Sequence, residues 1–165
     1  MGMAVPDTVM FPEEFEKLQH MVRGLLQDAN AKVVFLVDKN GQQIASAGQL
    51  ENLDTTSLAS LTAGNVAATE GLAQLIGESR FCTLFHEGQQ DSLHITLISN
   101  KVILLVIFDE HSSLGLVRLR VGEYGPQLKS VVDEILERGD DAQETAAVEM
   151  SLDDLSDEDI EALFA

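Results

Sequence analysis

Four histidines, one cysteine and a scatter of acidic residues are the groups in this chain that could hold a metal, attack a substrate or move a proton. Their spacing argues against each. His20, His86, His94 and His111 make no i,i+4 pair and join no carboxylate-linked ligand motif, so no metal site is expected. Cys82 has no second cysteine to bridge to, and beside apolar residues it is expected to pack as a small hydrophobe rather than act as a nucleophile. There is no GxxxxGK(S/T) loop and no GxGxxG after a strand, so the chain is expected to bind no nucleotide and no cofactor and to have no catalytic centre of its own. Arg118 and Arg120 are the cationic cluster that could enter a partner's active site, where an arginine finger is worth roughly 10³ to 10⁵ in rate. Packing on a helix surface is the plainer reading of both.

The elements that would position such groups can be read from the apolar pattern. Phe11, Phe15, Leu18, Val22 and Leu25 carry the stripe of an amphipathic helix, with Pro12 suited to its first turn and Glu13, Glu14 and Glu16 placed at the positive end of its dipole. Val33-Val34-Phe35-Leu36-Val37 is too short for a typical helix and closes on Asp38-Lys39-Asn40-Gly41, which predicts a buried strand and then a turn. Asn40-Gly41 can take the positive φ angles of a tight hairpin and would pair that strand antiparallel with one over residues 43–47. A helix capped within residues 53–57 is expected to run to about Gly77. Strands are expected over residues 81–87, 93–98 and 102–108, the last two joined as a hairpin through Ser99-Asn100-Lys101. Ser112 or Ser113 could cap a final helix that buries Leu114, Val117, Val121, Leu128, Val131, Val132 and Ile135, with Gly125-Pro126 kinking or interrupting it. The order is α-β-β-α-β-β-β-α, an α+β fold with one five-stranded antiparallel sheet and flanking helices.

The second helix has two stripes. Leu58, Leu61, Asn65, Ala68, Leu72 and Leu75 are expected to lie on the sheet, whereas Ser60, Gly64, Ala67, Gly71 and Gln74 form a second line almost without side-chain bulk. Glycine inside a helix costs on the order of 1 kcal/mol against alanine, so Gly64 and Gly71 require compensation. Tight packing within one subunit would supply it, and so would a subunit or partner interface. The interface is favoured, because a solvated helix face would more usually carry Lys, Glu and Arg.

The charge of −18 opposes binding to nucleic acid and to anionic membrane surfaces. No run reaches the roughly 20 apolar residues of a membrane span and no leader pattern opens the chain, so it is read as soluble and cytoplasmic. Residues 139–165 hold ten acidic residues and no Lys or Arg, which places a boundary near 138–141 between a domain over 10–138 and an acidic, flexible tail. Within the tail a short amphipathic helix is expected at about 151–164, with Leu152, Leu155, Ile160, Leu163 and Phe164 as its docking residues. A simple solvating tail is the alternative.

The strings AKVVFLVDKNGQ (31–42), DTTSLASLTAGNVAA (54–68), GLAQLIGE (71–78), FHEG (85–88) and SLGLVRLR (113–120) are similar, in order and spacing, to the roadblock/dynein light-chain superfamily, and within it to the MglB group of gliding-motility regulators. The resemblance implies a homodimer whose sheets join across the interface and whose second helices lie side by side. It implies as partner the GTP form of a small Ras-like GTPase of MglA type, two regulator subunits to one GTPase, and acceleration of GTP hydrolysis without an arginine finger. In such a polarity and motility role the protein would concentrate at a cell pole and meet other polarity proteins. The small stripe then becomes the surface a globular partner approaches, with Ala67 and Gly71 in the best-matched stretch and Glu70 as a departure beside them. His86, in FHEG, is read first as a packed or exposed strand histidine, with a role at that interface as the alternative. Two other readings stand beside activation. One is a roadblock scaffold that tethers a GTPase or motor complex without changing its chemistry. The other is a small-ligand sensor, which is disfavoured because the sequence shows no convergent polar residues.

Overall fold

The computed structural model describes residues 4–5 and 8–153, in the order β1 (Ala4–Val5), β2 (Thr8–Val9), α1 (Pro12–Asp28), β3 (Val33–Asp38), β4 (Gln43–Gly48), α2 (Thr55–Ile76), β5 (Thr83–Glu87), β6 (Ser92–Leu97), β7 (Val102–Phe108) and α3 (Leu114–Asp153). β3 and β7 are buried along their whole length, as continuous apolar runs must be, and they pair antiparallel at the centre of a sheet of order β4-β3-β7-β6-β5. Every neighbouring pair is antiparallel, so this is the expected roadblock-type arrangement.

Both faces of the sheet are covered, with alternate residues serving each. Val34, Leu36, Leu104, Val106 and Phe108 meet Leu18, Val22 and Leu25 of α1 and Val117, Val121 and Leu128 of α3. Val33, Phe35, Val37, Ile103, Leu105 and Ile107 point the other way, to Ala59 and Val66 of α2. At the β3–β4 turn only Gly41 takes a positive φ, +84°, and Asn40 does not. The turn is instead held by Asp38, whose Oδ1 accepts the amides of Asn40 and Gln42 at 2.9 Å each.

Several boundaries differ from expectation. A two-stranded β1–β2 sheet precedes α1, Ala4 opposite Val9 and Val5 opposite Thr8. β5 begins at Thr83 rather than Phe81, which leaves Cys82 outside the strand and exposed rather than packed. α3 contains Pro126 yet runs on to Asp153. The ring removes one hydrogen bond, and Leu128, Val131, Val132 and Ile135 anchor the helix to the core beyond it. The helix therefore also passes straight through the change of charge at 138–141. Beyond residues 151–153, which belong to α3, the expected short helix at 151–164 lies outside the described residues, as do four of its docking residues, Leu155, Ile160, Leu163 and Phe164, and the side chain of Leu152.

α3 is tied to the start of α1 by Arg138. Its guanidinium lies 2.7 Å from Glu14 Oε1 and 4.0 Å from the centre of the Phe11 ring, while Glu14 Oε1 also accepts the Phe11 amide at 3.2 Å. The Glu14 side chain is only 12% exposed, so Arg138→Ala would leave a largely buried carboxylate without that cation. A loss of about 1–2 kcal/mol is expected, read as a lower urea midpoint with an unchanged slope.

Candidate functional site

α2 is started by Asp54. The Ser57 hydroxyl (2.6 Å) and then the Ser57 amide (3.1 Å) donate to its carboxylate and hold its pKa below the ordinary range. It stops at Gly77, which is left-handed at φ +76°. Between these caps Ala59, Thr62, Ala63, Val66 and Ala73 are the buried residues. The leucine stripe is thus set the other way from the expectation. Leu58 and Asn65 are half-buried, while Leu61 (73% exposed), Ala68, Leu72 (58%) and Leu75 (83%) face outward. The sheet beneath already supplies the bulk through Phe35, Ile103, Leu105 and Ile107, and the small side of the helix packs densely against it.

Ser60, Gly64, Ala67, Gly71 and Gln74 are all exposed and share the outward side with Leu61, Leu72 and Leu75. Among the described residues a Cβ added at Gly64 or Gly71 would meet nothing within 4 Å, so neither glycine makes room for a described neighbour in its own subunit. Of the two explanations for these glycines, tight packing against the described part of the subunit is therefore disfavoured. Glu70 is the one charged residue in the 22 residues of α2, and Lys39 of the β3–β4 turn pairs with it. His86 of β5 lies at the side of the helix, its Nε2 3.4 Å from Asn65 Nδ2. The result is an outward face of leucine, glycine and alanine with no net charge.

The other side of the sheet carries a groove of about 670 Å³ between α3 and the β5–β6 strands. Thr83, His94 and Thr96 come from the strands, and Arg118, Val121 and Lys129 from the helix. These polar groups do converge, contrary to the expectation drawn from their separation in sequence. His94 is 2% exposed, with Nδ1 3.2 Å from the Thr96 hydroxyl and Nε2 without a hydrogen-bond partner among the described residues. Burial, and after it the nearby charge of Arg118, pushes the imidazole pKa below its ordinary value.

The unfolded chain thus takes up a proton at His94 at a higher pH than the folded one, and this contribution to stability, complete above about pH 6.5, is lost as pH falls toward the lower folded value. His94→Gln should remove it. The urea midpoint of wild type should fall relative to that of the variant on acidification below about pH 6.5 and keep a constant difference above about pH 7.5, the lysine and arginine facing the ring staying charged throughout.

Among the described residues no helix is long and apolar enough to cross a membrane. The Roadblock/LC7 domain family model matches residues 17–108, from within α1 to the end of β7. A solved Myxococcus xanthus MglB is 58% identical, covering 77% of this chain and 96% of that one, with a TM-score of 0.73. The chain belongs to the Roadblock/LC7 family and is MglB-like. Two further solved MglB structures match this roadblock protein at TM-score 0.74. One, from Thermus thermophilus and described as a gliding protein, is 29% identical over 79% of this chain and 99% of that one. The other, described as MglB with a tetrameric arrangement, is 28% identical over 80% and 99%. The comparison with curated proteins yields no match.

Proposed function

We propose that the protein is a homodimeric, GTPase-activating regulator of a bacterial Ras-like small GTPase of MglA type, acting in cell polarity and gliding motility. The observation that carries this reading is the outward face of α2, apolar and small, with Gly64 and Gly71 opening onto empty space. Two such helices side by side would present a flat surface on which Ser60, Ala67 and Gln74 are also exposed. The relatives' description as MglB and gliding proteins supports the same role.

Activation would proceed by repositioning the GTPase's own groups. Arg118 lines the groove on the opposite side of the sheet from α2, and Arg120 is held by Glu123 at 3.0 Å and by the carbonyl oxygen of Asp28 at 3.3 Å. Neither is placed to enter a site docked on α2. Removal of either should therefore leave the acceleration largely intact, whereas loss of a finger costs roughly 10³ to 10⁵.

The test is single-turnover GTP hydrolysis by the Ras-like GTPase with wild-type protein and with Ala67→Arg plus Gly71→Arg. Acceleration by wild type that disappears in the double variant supports the proposal. Binding by wild type with no acceleration would sink activation and leave a tethering scaffold.

A further inference from the structure

We propose that the groove between α3 and β5–β6 receives the acidic, apolar segment 154–165 of a second copy of this chain. Charge gives the first reason. In a chain of net charge −18, the charged side chains lining the groove are both cations, Arg118 and Lys129. Arg118 makes no ion pair among the described residues, and Lys129 is held only by Asp133 of its own helix, at 2.6 Å. The segment 154–165 has the opposite character, with Asp154, Asp157, Glu158, Asp159 and Glu161 and no Lys or Arg.

Shape and polarity give the second. The helix wall opens at Gly122, where an added Cβ would meet nothing within 4 Å, and Val121, Ile98 and Pro126 offer apolar surface to Ile160, Leu163 and Phe164. His94 lines the groove, and its buried Nε2 has no hydrogen-bond partner among the described residues. A carboxylate or backbone carbonyl of an occupant that reached this atom would supply the missing hydrogen bond.

Reach decides between the two possible donors of the segment. Along α3, Gly122 and Asp153 are 31 residues apart, or about 46 Å at 1.5 Å per residue. Phe164, the farthest apolar residue of the segment, lies 11 residues beyond Asp153 and extends at most about 40 Å back. The apolar residues thus fall short of the Val121–Gly122 wall of their own groove and reach it only in another subunit. This rests on a second copy being present, which the proposed homodimer supplies.

Cys82 is exposed, is the only cysteine and precedes the groove residue Thr83, so a nitroxide attached to it reports on the groove. Nitrogen-15-labelled Cys82→Ser protein is mixed, with subunit exchange, with unlabelled wild type carrying the nitroxide, and sedimentation is run on the same sample. At least a twofold loss of amide intensity at Ile160, Leu163 and Phe164 is expected, and it should vanish when the nitroxide partner carries Arg118→Glu plus Lys129→Glu. A dimer without broadening, or with broadening that survives charge reversal, overturns the groove assignment while leaving the homodimer intact. A monomer overturns both. Broadening seen only when nitroxide and isotope share one chain would show capture within a subunit and refute the exchange between copies.

Discussion

Gly48→Ala should lower stability by about 3 kcal/mol or more, a steeper loss than any change on the α2 face, and should show as a large fall in urea midpoint. Gly48 sits at φ +109°, and a Cβ there would stand 2.2 Å from the carbonyl oxygen of Lys32 and 3.0 Å from Val33 Cα. Both are backbone atoms at the edge of the most buried strand, so no side chain can swing away to relieve the clash. The same carbonyl accepts the amide of Gln49 at 3.0 Å, and Gly48 is the register partner of Val33. Relief therefore requires pulling the end of β4 away from β3. The informative control is Gly64→Ala, where the new methyl meets open space and helix propensity alone should stabilise an isolated subunit by about 0.5–1 kcal/mol. Equal losses at the two positions would refute the geometric account.

Leu61→Glu plus Leu72→Glu is expected to leave the subunit folded and to abolish its self-association. At 73% and 58% exposure these side chains contribute little to the core of one subunit, so the fold should lose no more than about 0.5 kcal/mol for each. Placed between two α2 helices, each carboxylate would lose its water without gaining a cation, since α2 offers no Lys or Arg. The cost is several kcal/mol per interface, enough to raise the dissociation constant by about 10³ or more. Sedimentation equilibrium gives the readout. A wild type that is already monomeric at the same concentration would remove the basis of the dimer.

The strands and their order were legible because burial on both faces leaves one compositional trace, the unbroken apolar runs 33–37 and 102–108. The phase of α2 was not. Leu58-Leu61-Leu72-Leu75 and Ala59-Ala63-Val66-Ala73 keep the same helical period, and periodicity says that a helix has sides without saying which side is turned inward. Bulk is a poor guide when the opposing sheet supplies it. The full length of α3 was hidden by charge, since the acidic run after Arg138 reads as a solvated tail. Ala142, Ala146 and Ala147, all strong helix formers, were the available signal for continuation. The β1–β2 pair had only Pro6-Asp7, a turn-type dipeptide between Val5 and Thr8, to announce it. His94 and Arg118 come from β6 and α3, and no local pattern could have joined them.

The position of β7 beside β3 has a consequence for how the molecule is made. The partners in that central ladder are 64 to 74 residues apart in the chain, from Asp38 with Val102 to Val33 with Ile107. Closing so long a loop is entropically costly before any contact repays it, and such non-local pairing slows folding relative to a helical domain of similar size. A nascent chain that has emerged only as far as α2 can form the β3–β4 hairpin, yet it shows Val33, Phe35 and Val37 with no β7 to pair against. Until residues 102–108 leave the ribosome, β3 keeps one edge unpaired, apolar from Val33 to Val37, which makes translation through this interval the stage at which aggregation is most to be expected.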